Sequence, residues 1–370
     1  MNILQVRSEF WDNGPGTQSL EIAKELRRRG HKVIFASSGG VLAQEMEEKY
    51  GFSHILIPTL SRLKRDPISS IKNIMELRKL IVEESIQIIH GHNAAATYLG
   101  YLASLGLGRK VGITQSVRGM EIRKMYQWRN WIYRINPAEY LAVSNYTKQM
   151  LLQAGVSADA VTVSYNGVDV SRFHRGVDGG RIREELGISP GTKVVTVVGK
   201  MSGAKGQEVL VQTIPAIIEN YDNVMFLFVG DGPILTKCKE LAQTYGINKH
   251  VRFLGFRRDI PEIQAGSDIF VLPSIKGEMF PNAILEAMSM GKPWVASNLA
   301  GIPEMSENST TGFVVAPGNV EQLTEKILLL LKDDSLAKQM GEQGERVVNE
   351  RYLIRHVVDR IEAVYHRSLR

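Results

Sequence analysis

The chain has one cysteine, Cys238, in 370 residues. A single thiol excludes an internal disulfide framework and a cysteine-rich zinc site, and it fits a reducing compartment. No apolar run approaches the roughly 18 residues that a bilayer-spanning helix needs. The opening Met1-Asn2-Ile3-Leu4-Gln5-Val6-Arg7 passes straight into strand-like sequence, without the basic-then-apolar layout of a signal peptide. These absences lead to the expectation of a cytoplasmic chain that does not cross a membrane. Low-complexity tracts are missing too, which argues against disorder. Acidic residues are scarce in one region only: residues 1–175 hold 23 Lys and Arg against 15 Asp and Glu, and the remainder hold 22 against 24. A basic half beside a near-neutral half points to an anionic partner for the first, whether phosphorylated acceptor, membrane surface or nucleic acid. No nucleic-acid-binding motif accompanies the charge, so nucleic acid is set aside.

At this length two domains are the natural expectation. Short β-branched runs alternate with helical stretches. In the first half the strand candidates are 2–6, 32–36, 54–57, 87–90, 110–114, 140–143 and 161–164, with helical patterns at 19–29 and 68–83 between them. Gly30 closes the first of these helices. A Gly- and Arg-rich break at 176–191 precedes a second series at 193–198, 224–229, 251–254, 269–272, 293–296 and 313–315. The alternation implies two parallel sheets covered on both faces. We expect domains at 1–172 and 173–351. A terminal amphipathic helix at about 352–370, with Ile354, Val357, Val358, Ile361 and Val364 at helical spacing, is a candidate to cross back onto the first. Ligands of such sheets bind beyond the carboxyl ends of the strands, and two sheets facing each other would form one deep cleft.

Three stretches carry candidate chemistry. In Pro273-Ser274-Ile275-Lys276-Gly277-Glu278-Met279-Phe280-Pro281-Asn282-Ala283-Ile284-Leu285-Glu286, an apolar strand ends in a turn, a loop bears Glu278, and Pro281 suits the first turn of a helix. Backbone N–H groups around Asn282 to Ile284 would form an anion site, while Glu278 and Glu286 could take hydroxyls at two ends of one ligand. The same stretch also reads as a surface loop and an ordinary amphipathic helix with solvated glutamates. In Val198-Gly199-Lys200-Met201-Ser202-Gly203-Ala204-Lys205-Gly206, two lysines five apart suit a diphosphate, although paired loop lysines are commonly just solvated. The Gly-Lys-Ser/Thr ending of a P-loop is absent. Finally, Asn13-Gly14-Pro15-Gly16-Thr17-Gln18 would let backbone approach a phosphate, but Ser19 stands where a dinucleotide fingerprint needs its third glycine, and no acidic residue ends the second strand.

Together these motifs resemble the family 4 retaining glycosyltransferases of GT-B fold. The likeness extends through Ile89-His90-Gly91-His92, Val143-Ser144-Asn145-Tyr146, Asn166-Gly167-Val168-Asp169, Gly230-Asp231-Gly232-Pro233, Gly291-Lys292-Pro293 and Gly301-Ile302-Pro303-Glu304. The resemblance implies that Lys200 and Lys205 hold the donor diphosphate, where the family more often has Arg at the first position. It implies that Glu278 binds the donor sugar and Glu286 the ribose diol. The amides of Phe280, Pro281's neighbours Asn282 and Ala283, and Ile284 would contact sugar and phosphate, and Gly14 and Gly16 would let the N-terminal loop approach. Arg118 and His92 are its candidates for the transferred sugar, with His92 also readable as a structural histidine. It further implies a metal-independent, retaining reaction without cofactor, by front-face attack, in which the N-terminal domain takes the acceptor and the C-terminal domain the nucleotide-sugar donor, UDP in preference to GDP. The product would belong to a cell-envelope polysaccharide, built by transfer of a hexose or N-acetylhexosamine to a glycan or lipid-linked acceptor.

Between Arg109 and Arg134 lie Lys110, Arg118, Arg123, Lys124 and Arg129 against one acid, Glu121, interleaved with Met125, Tyr126, Trp128, Trp131 and Tyr133. Arg62, Lys64 and Arg65 extend the patch. Basic and aromatic residues together suit an anionic lipid surface, or a solvated helix with its rings in the core. The first reading makes the chain peripheral on the inner face of the membrane. Two other functions compete: a sugar-nucleotide epimerase of the same architecture, and a nucleotide- or glycan-binding protein without activity.

Overall fold

The computed structural model describes residues 1–11, 13–61, 63, 64, 66–119, 131–306 and 309–370. The chain divides into two compact units, Met1–Gly167 with Ile354–Arg370, and Val168–Leu353. At the division Val168 forms an isolated parallel bridge with Leu353, and its N–H donates to the Tyr352 carbonyl at 2.8 Å. The outgoing and returning strands of the second unit therefore leave side by side.

The first unit holds seven parallel strands: β1 (Asn2–Val6), β2 (Lys32–Ser37), β3 (Ser53–Leu56), β4 (Ile88–Gly91), β5 (Gly112–Val117), β6 (Glu139–Ala142) and β7 (Val161–Val163). Their order is β3-β2-β1-β4-β5-β6-β7. Burial on both faces explains why β4 and β5 are continuous rather than alternating in character. β5 lies two to three residues later than the pattern predicts. It runs through Thr114, Gln115 and Ser116, polar residues that read as a strand end but are buried and paired with β6. The first helix, Gly14–Arg28, starts five residues before its apolar periodicity does. Asn13 caps it, its side chain accepting from the Gly16 N–H at 3.0 Å, with Pro15 in the first turn. The final helix, Ile354–Ser368, packs on this unit. Val357, Val358, Ile361, Val364 and Tyr365 are buried in one cluster with Ile3, Leu26, Val33 and Ile88. Each such side chain contributes about 1.5–3 kcal/mol on burial.

The second unit holds β8 (Lys193–Val198), β9 (Val224–Val229), β10 (Val251–Gly255), β11 (Ile269–Leu272), β12 (Trp294–Ser297) and β13 (Gly312–Val315), all parallel in the order β10-β9-β8-β11-β12-β13. Its core joins Val195, Val197, Phe226, Phe228 and Val271 to Leu210, Ile214 and Ile327 from the covering helices. Among the described residues no helix is long and apolar enough to cross a membrane.

Candidate active site

Strand order reverses between β8 and β11 in the second unit, and between β1 and β4 in the first. Loops leaving the carboxyl ends on either side of such a reversal diverge and leave a crevice for a ligand. The residues singled out in the sequence fall at these two places.

In the second unit the loop after β8 ends at Gly206, which opens the helix Gln207–Asn220 with φ +68°. A Cβ at Gly206 would lie 1.9 Å from the Pro273 carbonyl oxygen, so glycine is what allows this loop to close on the one beyond β11. The backbone N–H groups of Ile275 and Lys276 donate to the Ala204 carbonyl at 2.8 and 3.2 Å and stitch the two loops together. That closure brings Lys205 to Glu278: the ammonium donates to Glu278 Oε1. Ser274 Oγ donates to the same oxygen at 2.7 Å. Glu278 is only 6% exposed, against 30% for Lys205. Both bonds fall on Oε1, and Oε2 takes none among the described residues. A buried carboxylate whose charge is balanced on one oxygen can offer the other to a ligand hydroxyl.

The structure does not bring Lys200 into this pair. Its side chain is exposed, and its contribution to the loop is a carbonyl that accepts from Gln207 Nε2 at 3.1 Å. Pro281 is the N-cap of the helix Asn282–Ser289 (φ −72°, ψ 127°) rather than a first-turn residue, because the chain is still extended there. Pro281 has no side chain that could cap this helix, and the first-turn N–H groups, Ala283 and Ile284 among them, form its positive end. Phe280 is a core residue, its ring 5.5 Å from that of Tyr352. Glu286 sits half-buried on the second turn. Lys193, Asp268, Lys292 and Asp334 line a cavity at the opposite, amino ends of β8, β11 and β12. There Lys193 pairs with Asp334 at 2.6 Å, Arg183 with Asp268 at 2.7 Å, and Lys292 donates to the Ala265 and Ser267 carbonyls.

At the β1/β4 reversal of the first unit, polar residues from six elements converge. His92 Nε2 lies 2.8 Å from Gln5 Oε1 on β1, and its Nδ1 lies 3.0 Å from Arg118 Nη1 just beyond β5 and 3.1 Å from Ser19 Oγ on the first helix. Arg118 also donates to Asn166 Oδ1 at 3.2 Å. Behind them His90 is fully buried, bonded to Ser116 Oγ at 2.7 Å and to the Tyr365 hydroxyl at 2.6 Å. Its ring stacks on His92 with centroids 4.6 Å apart. Burial, reinforced by Arg118, drives His90 down to about 3. His92 is driven well below its usual range by burial first, then by His90, Arg118 and Arg7. Burial and Arg7 lower Arg118 to about 9, with Tyr365 opposing them, so the guanidinium stays charged at neutral pH. Gly16 is required by its own loop: a Cβ there would lie 2.1 Å from the Trp11 carbonyl oxygen. Gly14 is the first residue of the adjoining helix.

Sequence reasoning missed Ser274, Gln5, Ser19, His90, Asn166 and Tyr365 as members of these clusters. A polar residue inside an apolar strand, as at Gln5 and His90, was the available signal for two of them. It also missed a surface. The helix Pro67–Glu83 buries Ser69, Asn73, Leu77, Leu80 and Ile81. On its opposite face Ile68, Ile71, Met75 and Val82 are exposed at helical spacing, beside Lys72 and Lys79, and Leu63 just before it is 94% exposed. Of the basic and aromatic segment, Trp131 is exposed and Tyr133 half-buried. Glu121, Arg123, Lys124, Met125, Tyr126, Trp128 and Arg129, with Arg62 and Arg65, lie outside the described residues.

Residues 12–172 match Glycosyltransferase Family 4, and residues 179–347 match Glycosyl transferases group 1. The chain is 28% identical over 370 residues to the N-acetyl-alpha-D-glucosaminyl L-malate synthase of Bacillus anthracis, covering 96% of this chain and 94% of that protein. It is also 28% identical over 321 residues to an Escherichia coli UDP-Gal:alpha-D-GlcNAc-diphosphoundecaprenol alpha-1,3-galactosyltransferase, covering 84% and 82%. In fold it is similar to Anabaena HepE, solved in complex with UDP, with a TM-score of 0.84 at 22% identity over 99% of this chain and all of that one. The two parallel sheets are those of the GT-B fold, and the chain belongs to the family 4 glycosyltransferases.

Proposed function

We propose that the chain is a retaining, metal-independent glycosyltransferase that moves a hexose or N-acetylhexosamine from a nucleoside-diphosphate sugar, UDP in preference to GDP, to a glycan or lipid-linked acceptor of the cell envelope. One observation carries the reading: at the β8/β11 reversal a buried carboxylate, Glu278, keeps Oε2 open while Lys205 balances its other oxygen. Lys205 and Lys200 supply point charges for a diphosphate, and the N-terminal end of Asn282–Ser289 adds backbone dipoles of the same sign. Glu278 Oε2 takes a sugar hydroxyl, and Glu286 the ribose diol. In the reaction the bond between C1 and the β-phosphate oxygen breaks. The acceptor oxygen bonds to C1 on the same face, and its proton passes to the departing phosphate. Arg118 and His92 are assigned to the transferred sugar. The name of the Escherichia coli relative and the UDP complex of Anabaena HepE support a UDP donor, and that name also supports a diphosphoundecaprenol acceptor.

For the acceptor side we commit to an anionic membrane surface. The exposed stripe of Ile68, Ile71, Met75 and Val82, with Leu63, gives the helix an apolar outer face, flanked by Lys72 and Lys79 and by Glu76 and Glu83, the last paired with Lys79. A partner protein would leave the excess of base over acid in residues 1–175 unexplained. The donor reading is tested by titrating UDP and GDP into the chain and into Lys205→Ala. UDP should bind more tightly than GDP, and the variant should bind UDP at least about tenfold more weakly, the loss of one charge-assisted contact. A wild-type chain that takes up neither nucleotide would sink the proposal.

A further inference from the structure

The last helix of the chain enters the β1/β4 cluster through one atom. Tyr365 is fully buried, and its hydroxyl lies 2.6 Å from His90 Nδ1, a residue 275 positions earlier. His90 Nε2 is fixed in turn by Ser116 Oγ at 2.7 Å. With both ring nitrogens held, the plane of His90 is set, and His92 stacks on that plane at an interplanar angle of 26°. His92 then has a defined job. A guanidinium has no acceptor, so the Arg118 Nη1 contact at 3.0 Å requires a lone pair on His92 Nδ1. The ring proton must therefore sit on Nε2, where Gln5 Oε1 accepts it at 2.8 Å. Phenol, first imidazole, second imidazole and guanidinium form one directed series, with Asn166 Oδ1 closing the far side of Arg118.

We infer that Tyr365 and His90 are positioning residues, which fix the ring plane and tautomer of His92 and through it aim the Arg118 guanidinium. This rests on the assignment of Arg118 and His92 to the transferred sugar. Neither Tyr365 nor His90 touches substrate in this scheme. Their effect is angular: an unanchored His90 lets His92 turn, and Arg118 loses the acceptor that orients it. A misplacement of this kind acts on the chemical step more than on donor binding.

The test uses the full chain with Tyr365→Phe, which keeps the buried ring and deletes only the hydroxyl. Ser116→Ala is a second variant that releases His90 from its other side, should the first fail to fold. His366→Ala, exposed on the same helix, serves as the control. Histidine side-chain nitrogen shifts are recorded, and UDP release is followed with UDP-glucose, UDP-galactose and UDP-N-acetylglucosamine. In the wild type His92 should show the Nε2–H tautomer alone. In Tyr365→Phe or Ser116→Ala it should become a mixture, and kcat should fall between about tenfold and a hundredfold with the UDP dissociation constant unchanged. His366→Ala should match the wild type in both. A folded variant with wild-type histidine shifts, or with mixed tautomers but unaltered kcat, overturns the inference. The proposed function fails separately: it falls if UDP does not bind, or if Arg118→Ala leaves turnover intact, whatever the tautomer data show.

Discussion

The two strand-order reversals share a topology and differ in charge. At β8/β11 an ammonium and a carboxylate meet, one partly open to water and the other nearly sealed from it. At β1/β4 the network holds no carboxylate among the described residues. It is built from two neutral imidazoles, amides, hydroxyls and the Arg118 guanidinium. The first site is charge-balanced, and under the proposed function a diphosphate that drew Lys205 away would leave Glu278 charged toward a hydroxyl. The second is already rigid and carries surplus positive charge. One fold thus supplies a responsive grip and a fixed one, and the side chains placed at the carboxyl end of each strand decide which.

Breaking the responsive site should have the largest effect. Lys205→Ala and Glu278→Ala are each expected to lower turnover by about 10²- to 10³-fold, measured as UDP release, because each removes a charge set against the reacting ends of the donor. They should part company in stability. Lys205→Ala strands a nearly buried carboxylate on the Ser274 hydroxyl alone and should cost about 1–3 kcal/mol in urea unfolding. Glu278→Ala leaves an ammonium that can reach water and should cost less. Equal losses would mean that burial does not distinguish the partners.

Much of this was legible in the sequence, and the gaps have physical causes. Each of the thirteen strands overlaps a run read from the sequence, since parallel strands covered on both faces keep a mostly apolar composition. Glu278 and Lys205 were legible as candidates through their motifs, each in a loop that leaves a buried strand and opens a helix. Their mutual contact was not, since it depends on Gly206 passing within a carbonyl's reach of Pro273, a fact of three-dimensional closure. Gln115 and Ser116 hid the true extent of β5, because buried polar residues imitate a strand end unless their partners are known. Tyr365 was the least visible: it lies beside Val364 outside the apolar positions read for that helix, and nothing in the sequence ties it to His90. The start of the first helix was missed because Asn13 and Pro15 set it by capping, before any apolar periodicity begins.

The fixed site predicts a smaller effect, in stability against pH. An unfolded histidine titrates near 6.5. Folded His90 stays neutral down to about 3. Between those values the unfolded chain binds the extra proton, so stability falls as the pH drops. The contribution of His90 is complete above about 6.5 and is lost progressively toward 3, at about 1.4 kcal/mol per pH unit. Urea unfolding at pH 7 and pH 5 should therefore show the wild type losing about 2 kcal/mol more than His90→Gln. Parallel curves would mean that His90 takes up its proton in the fold as readily as in the unfolded chain.

The smallest expected change in stability belongs to the surface stripe, where the comparison is between the two faces of one helix. Leu77 and Ile81 point into the unit, and Met75 and Leu63 are 65% and 94% exposed. Leu63→Glu and Met75→Glu remove no buried contact, so unfolding free energy should move by no more than about 0.5 kcal/mol. Binding to vesicles containing phosphatidylserine should nonetheless weaken severalfold in co-sedimentation, since each variant deletes apolar insertion and places an anion beside anionic lipid. Wild-type binding that shows no preference for anionic over neutral vesicles would remove the membrane from the proposal. Unchanged binding in both variants would move the contact elsewhere on the unit.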